Sequence, residues 1–126
     1  MKRILLFGSL CFLMMAFSVA VNISDIVNAL KTGNAAEISR YFDNTVEITL
    51  PEKTNSYSKS QGEVIIRDFF NNNTVKGFNI IHQGENAGSQ YCIGTLVTST
   101  ASFRTTIYMK QKGNKQILQE IRFENK

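Results

Sequence analysis

The sequence predicts an α+β domain in which three helices pack on one face of a curved antiparallel sheet. Two observations predict this fold class. Apolar residues recur at helical spacing in three segments before residue 71, and from Val75 onward the pattern alternates at period two with no further helical signal. A sheet that alternates in this way has one apolar face, and helices gathered on that face bury it.

Two short helices open the domain. The first is predicted over residues 24–31, because Ser24 is a good N-cap and Gly33 is placed to end the helix. The second begins after the cap Asn34 and carries Glu37 three residues further on. Its predicted apolar face consists of Ile38, Tyr41 and Phe42. A hairpin of two helices is therefore expected before the first strand.

Two strands and a third helix are predicted next. Residues 45–50 alternate as a strand that Pro51 stops, and the polar residues 52–59 are expected to pair weakly as a second strand. A capping box at residues 60–63 opens the third helix, and the asparagines at 71–73 end it. The predicted apolar face of this helix consists of Val64, Ile65, Ile66, Phe69 and Phe70.

The rest of the chain reads as strands joined by short turns. Strands are predicted over residues 78–83, 90–99, 103–111 and 116–124, and Gly113 supplies the turn between the last two. Strand–turn–strand repetition of this kind forms an antiparallel meander. Three helices followed by this meander give a single domain.

The first twenty residues have the pattern of a secretory signal peptide. Lys2 and Arg3 precede an uncharged apolar run over residues 4–17, and small residues close the segment at Ala20. The apolar run is about fourteen residues long, short of the roughly twenty that span a bilayer. We therefore expect cleavage after Ala20, which leaves residues 21–126 as one exported domain without a stable membrane anchor. An uncleaved anchor is the alternative.

Removing that segment changes how the charges and cysteines are interpreted. The whole chain has a net charge of +4, and half of this excess comes from the two basic residues of the segment. The small remaining charge does not favour nucleic-acid binding, which needs a concentrated basic face. Cys11 leaves with the segment, so Cys92 stands alone in a strand and is expected to be buried and inert. No cofactor or metal is predicted, since the chain has no phosphate loop and a single histidine.

Several stretches resemble the nuclear transport factor two-like, or cystatin-like, superfamily. The resemblance lies in Ala-Leu-Lys-Thr-Gly-Asn at 29–34, Tyr-Phe-Asp-Asn-Thr-Val-Glu at 41–47, the capped helix at 60–70, and the strands near 91–96 and 103–104. The sequence is most similar to small exported members of unknown function from Gram-negative bacteria. The resemblance implies a cone of helices on a curved sheet, homodimers packed sheet to sheet, and a cavity for a small apolar ligand.

The enzymes of that superfamily have residues that this chain lacks. Ketosteroid isomerase carries its catalytic carboxylate directly after the motif that ends here in Glu47, and this chain has Ile48 there. A general base must titrate, so Ile48 cannot serve. The isomerase tyrosine of the first helix is also missing from residues 26–28, and scytalone dehydratase uses more than one histidine. The known chemistries are therefore not expected here, and no catalytic residue is assigned.

Four side chains are candidates for a ligand site. His82 shares strand parity with the apolar Phe78 and Ile80, where a histidine is more often structural than an acid–base group. The other three candidates are Tyr91, Arg104 and Tyr57. Tyr91 could line a cavity with its phenol, and Arg104 could bind a carboxylate or simply be solvated, since it lies opposite the apolar stripe of its strand.

These observations favour a non-catalytic domain of the periplasm or cell envelope that binds a small apolar ligand or a partner. Two other classes stay open. One is an enzyme of the isomerase, dehydratase or hydrolase type with a pocket around His82 and Tyr91. The other is a structural or interaction module. The enzyme requires those two side chains to converge on one cavity, and a solidly packed interior would favour the interaction module.

Overall fold

Three helices and six strands follow one another along residues 23–126, the part of the chain that a computed structural model describes. In chain order they are α1 (Ile23–Thr32), α2 (Ala35–Ser39), β1 (Phe42–Leu50), β2 (Lys53–Ser58), α3 (Lys59–Asn72), β3 (Val75–Asn86), β4 (Ser89–Thr98), β5 (Ser102–Lys112) and β6 (Lys115–Asn125). This order confirms the predicted sequence of elements. The expected signal peptide at residues 1–20, with Cys11, lies outside the described residues.

Local hydrogen bonds explain where the helices begin. The Asn34 side chain accepts a hydrogen bond from the backbone N–H of Glu37 at 3.0 Å, which is the predicted cap of α2. The cap of α3 is Ser58 and not the predicted Ser60, because the Ser58 hydroxyl accepts from the backbone N–H of Gln61 at 3.3 Å. The third helix therefore starts at once after β2, with no loop between them.

Two apolar residues have a different role from the one the helical patterns predicted. Phe42 is the first residue of β1 and not part of a helix face, although it is buried as expected. Val64 of α3 is 48% exposed, so the buried face of that helix is narrower than predicted. It consists of Gly62, Ile66, Phe69 and Phe70.

The six strands form one sheet in the order β2-β1-β6-β5-β4-β3. The strands from β3 to β6 are the predicted antiparallel meander, and β1 pairs antiparallel with β2. One ladder departs from the antiparallel pattern, because β1 lies parallel to β6, with Glu47 opposite Glu120. The ladder places the first and last strands side by side in the middle of the sheet, and β2 and β3 at its edges.

The helices and the sheet share one apolar core. Phe69 of α3 stacks on Phe123 of β6 with ring centroids 4.6 Å apart, and its edge meets Phe103 of β5 at 5.1 Å. Ile26 and Leu30 of α1 are fully buried in the same cluster. Each such side chain contributes about 1.5–3 kcal/mol relative to an exposed one. Aromatic rings therefore occupy much of the space between α3 and the sheet.

A glycine lets β3 approach β4 closely. A Cβ atom at Gly94 would lie 2.4 Å from Cζ of Phe78 and 2.6 Å from the carbonyl oxygen of Asn79, well inside van der Waals contact. The Phe78 ring lies across the bare backbone at this position and is 4% exposed. Glycine at this position therefore allows β3 to bring its one large aromatic side chain into the core.

Candidate functional site

The face of the sheet that points away from the helices carries a row of chemically active side chains. Burial alternates along β4, β5 and β6, and the residues between the core positions point to this outer face. Strand register places five of them in line across five strands. This cross-sheet row consists of Gly84, Tyr91, Tyr108, Glu120 and Glu47. At about 4.8 Å between strands, the row is about 19 Å long.

At the β3 end of the row, two residues predicted separately as ligand-site candidates lie in contact. The hydroxyl oxygen of Tyr91 lies 2.7 Å from Nε2 of His82, and the ring centroids are 5.4 Å apart. Gly84 makes this arrangement possible, because a Cβ atom there would lie 2.9 Å from the Tyr91 hydroxyl oxygen. The phenol therefore lies flat over a glycine backbone and reaches along β3 to the imidazole.

His82 lies on the outer face because β3 contains a bulge. The register with β4 shifts between Ile80 and His82, which leaves Ile81 as an extra residue on β3. The extra residue reverses the parity, so His82 does not share the face of Phe78 as simple alternation predicted. Its side chain is exposed, and opposite it lies Ile93, an outer-face residue of β4.

A shallow depression of about 250 Å³ adjoins this pair. Its lining includes Tyr91, Gly84 and Ile23, the first residue of α1. The remaining lining residues are the polar Gln83, Glu85 and Gln90. Most small-molecule sites are apolar and hold roughly 300–1,000 Å³, so this depression suits a single side chain or a small polar group better than an enclosed apolar ligand.

The middle of the row holds a second tyrosine. Tyr108 lies directly opposite Tyr91, and its hydroxyl is 3.0 Å from the Ser89 hydroxyl. Tyr108 was not among the predicted site residues, although the alternation of β5 places it on the same face as Arg104. Two adjacent phenols with fixed hydroxyl groups are a surface that can both pack against apolar groups and form hydrogen bonds.

The far end of the row is acidic. Glu47 and Glu120 lie opposite one another across the parallel ladder, and Arg122 Nη1 is 3.7 Å from Oε2 of Glu120. Burial and then the charge of Glu47 raise the pKa of Glu120, and Arg122 opposes this effect. Arg122 also contacts Glu124 at 3.4 Å. Sequence reasoning missed this group, because it depends on a strand pairing that alternation does not specify.

The other two nominated residues lie elsewhere. Arg104 is exposed on the outer face as predicted, but it pairs with Thr95, four residues along β4 from Tyr91 and therefore about 13 Å away. Tyr57 lies on β2, at the opposite edge of the sheet from His82. Its ring packs against the core, and its hydroxyl accepts a hydrogen bond from Asn55 Nδ2 at 3.4 Å. Neither residue reaches the His82–Tyr91 pair.

Cys92 lies on the inner face of β4, next to Tyr91. Its side chain is fully buried, and burial raises the pKa of the thiol, which keeps it protonated near neutral pH. Within residues 23–126, no three His, Cys, Asp or Glu side chains lie close enough together to hold a metal ion. Over the same residues, none of the helices has the length and apolar character needed to cross a membrane.

One protein family matches this sequence. The model of DUF4783, a domain of unknown function, matches residues 23–124. This range includes the whole cross-sheet row and every helix and strand except the last residue of β6. No curated protein matches the chain.

Solved structures resemble the chain over its full described length. A DUF4783 family protein from Bacteroides fragilis is 30% identical, with a TM-score of 0.78, and the match covers 84% of this chain and 99% of that one. A DUF4783 family protein from Bacteroides uniformis is 29% identical, with a TM-score of 0.80, and covers 83% and 98%. An NTF2-like protein of unknown function from Cytophaga hutchinsonii, 8% identical with a TM-score of 0.58, covers 80% and 83% and shares the fold.

Proposed function

We propose that this protein, which belongs to the DUF4783 family of domains of unknown function, is an exported, non-catalytic domain that binds a partner on the outer face of its sheet. The observation that carries the proposal is the cross-sheet row, in which Tyr91 and Tyr108 lie side by side with their hydroxyl groups held by His82 and Ser89. Tyrosine, like tryptophan and arginine, is enriched among the residues that dominate binding at protein interfaces.

Packing supports a surface partner over an enclosed ligand. Phe69, Phe103 and Phe123 fill space between α3 and the sheet, where the fold could otherwise leave an apolar cavity. The depression beside Tyr91 is small and open, and Gln83, Glu85 and Gln90 make up half of its lining residues, so a small apolar ligand would stay largely exposed to water there. The outer face, in contrast, offers a row about 19 Å long that runs from aromatic to acidic.

The hydrogen bond between His82 and Tyr91 favours a second candidate, an enzyme that uses the pair as an acid–base couple. The imidazole could take a proton from a group held within hydrogen-bond reach, and the phenol would orient the ring. The couple lies at the exposed surface, and strong electrostatic catalysis depends on a site from which water is excluded. This geometry supports the binding domain better than the enzyme.

Export and self-association belong to the same proposal. Export rests on the pattern of residues 1–20, which predicts removal of that segment on the way to the periplasm or envelope. The resemblance to the nuclear transport factor two-like superfamily adds a homodimer packed sheet to sheet. Such a dimer would use this same outer face, so the mass of the bound partner has to separate a second copy from a different protein.

Site-specific photocrosslinking tests the proposal in the cell. Benzoylphenylalanine replaces Tyr108 on the outer face, or, as a control, the more exposed Val64 on α3, in the full-length chain. We expect a discrete adduct in the envelope fraction from position 108 and none from position 64. An adduct of twice the mass of the processed chain identifies a second copy. Equal adducts at both positions, or none at either, would overturn the proposed binding face.

A further inference from the structure

One edge of the sheet is unusually apolar. β3 is the strand at this edge, and no other strand within residues 23–126 lies beyond it. Ile80 is 45% exposed and Ile81 is 60% exposed, which makes them two of the three large apolar side chains exposed in the described part of the chain. Edge strands with exposed apolar residues tend to pair with another strand, and proteins usually protect them with charges, bulges or short strands. β3 is twelve residues long.

The bulge in β3 makes this edge self-complementary. Gly77 and Asn79, before the bulge at Ile81, lie on the outer face of the sheet, and so do His82 and Gly84 after it. Directly opposed residues of an antiparallel pair must point to the same face. A second β3 running antiparallel about the centre of the bulge would place Asn79 opposite His82 and Gly77 opposite Gly84, with matching faces on both sides. A regular strand without the extra residue Ile81 would not allow this register.

The charges on β3 agree with the same register. Lys76 and Glu85 are both exposed, and within residues 23–126 neither takes part in an ion pair. Lys76 is the extra residue of a second irregularity in β3, between Val75 and Gly77, and in the antiparallel arrangement it lies beside the Glu85 of the second copy. The two ion pairs flank a centre where Ile80 of each copy meets Ile81 of the other. Opposite charges and apolar pairs across strands both stabilise a ladder, whereas like charges destabilise it.

We propose that the β3 edge is a self-association surface, on which a second copy of this chain pairs its own β3 antiparallel around Ile80 and Ile81. The sheet then runs continuously from one copy into the other. This interface goes beyond the proposed function, because it uses the edge of the sheet and leaves the tyrosines of the outer face free. It joins the edges of two sheets, whereas the superfamily resemblance implies packing of their faces.

A charge-swap series tests the register. The full-length chain is expressed, and the exported protein is purified and studied by sedimentation equilibrium at low salt. We expect a dimer whose dissociation constant rises at least tenfold in Lys76→Glu and in Glu85→Lys, because each change places two like-charged pairs across the ladder. The double variant, Lys76→Glu with Glu85→Lys, restores the opposite charges and should return the dissociation constant to within about threefold of the wild type.

Apolar variants provide a second, independent test. Ile81→Lys places two charges at the centre of the interface, so we expect a monomer with unchanged circular dichroism. Val64→Lys is the control, because Val64 is another exposed apolar side chain, 48% exposed, that lies on α3 away from this edge, and it should leave the dimer intact. Arg104→Glu changes the outer face and should also leave it intact.

Three results would overturn the proposal. The first is a wild-type chain that stays monomeric at the highest attainable concentration. The second is a double swap that binds no better than the single swaps. The third is a dimer that Arg104→Glu dissociates and Ile81→Lys does not, which would assign self-association to the sheet face and support that part of the proposed function.

Discussion

Replacing Gly94 by alanine is expected to destabilise the domain far more than an ordinary glycine-to-alanine change in a strand. The new Cβ would lie 2.4 Å from Cζ of Phe78 and 2.6 Å from the Asn79 carbonyl oxygen, about 1 Å closer than ordinary contacts of 3.5–4 Å allow. The ring is 4% exposed, and the carbonyl belongs to the backbone of the neighbouring strand, so neither can move freely. Inserting a methyl group into a well-packed core costs typically 1–3 kcal/mol.

We place the cost of Gly94→Ala near the upper end of that range, at about 2–3 kcal/mol, because one of the two obstructing atoms is backbone. For a domain of about 100 residues this corresponds to a fall in Tm of about 8–15 °C. Thermal and urea unfolding followed by circular dichroism measure it. Gly77→Ala is the matched control, since a Cβ on Gly77 in the same strand pair meets nothing within 4 Å and should change stability by less than about 0.5 kcal/mol.

The close contact between position 94 and the Phe78 ring should also couple the two residues energetically. Phe78→Leu removes the ring atom nearest to the new methyl group, so it should cost less in the Gly94→Ala background than in the wild type, by more than about 0.5 kcal/mol. Rescue should be partial, because the Asn79 carbonyl stays in place. Two results would contradict the close approach of β3 to β4 at Gly94. One is a Gly94→Ala variant that is as stable as Gly77→Ala, and the other is simple additivity of Gly94→Ala and Phe78→Leu.

Three further outcomes are expected. Burial and the facing Glu47 raise the pKa of Glu120, so the native state binds the carboxyl proton more tightly than the unfolded chain does. The protonated carboxyl therefore contributes to stability at low pH, and this contribution is lost as the pH rises through the native pKa. Glu120→Gln should therefore stabilise the domain against urea by up to about 1 kcal/mol at pH 7, and this gain in stability should shrink toward pH 4. An equal gain at pH 7 and at pH 4 would contradict the raised pKa. Tyr91→Phe removes the hydroxyl bonded to His82 and should cost no more than about 1 kcal/mol, since the pair is exposed; a double-mutant cycle with His82→Ala checks the coupling. The buried Cys92 should resist a thiol reagent until unfolding, when one reactive thiol per chain indicates that residues 1–20 have been removed and two that they remain.

The helices and strands could be predicted because their signals are local. Asn34 caps α2 through a hydrogen bond to a residue three positions away, and the alternation that defines β5 extends along a single strand. Alternation also shows which face a residue occupies, so the exposure of Arg104 and the burial of Cys92 followed from the sequence.

Features that depend on how strands align could not be predicted in this way. The pairing of Glu47 with Glu120 requires β1 to lie parallel to β6, and alternation does not say which strand lies beside which. The bulge that turns His82 outward is one extra residue, and its position is set by the partner strand β4. The sequence nominated His82 and Tyr91 but could not show that they meet, nor that Tyr108 lies next to them.

The parallel ladder between β1 and β6 has a consequence for how the chain folds. The strands it joins are about seventy residues apart in sequence, so a large loop has to close before the middle of the sheet exists. Phe123 and Ile121 of β6 are fully buried at this seam, which means that a chain lacking its final strand leaves the core open to water. A nascent chain cannot complete this core until β6 emerges. The stability of the sheet's centre is therefore gained only after nearly all of residues 42–123 have been synthesised.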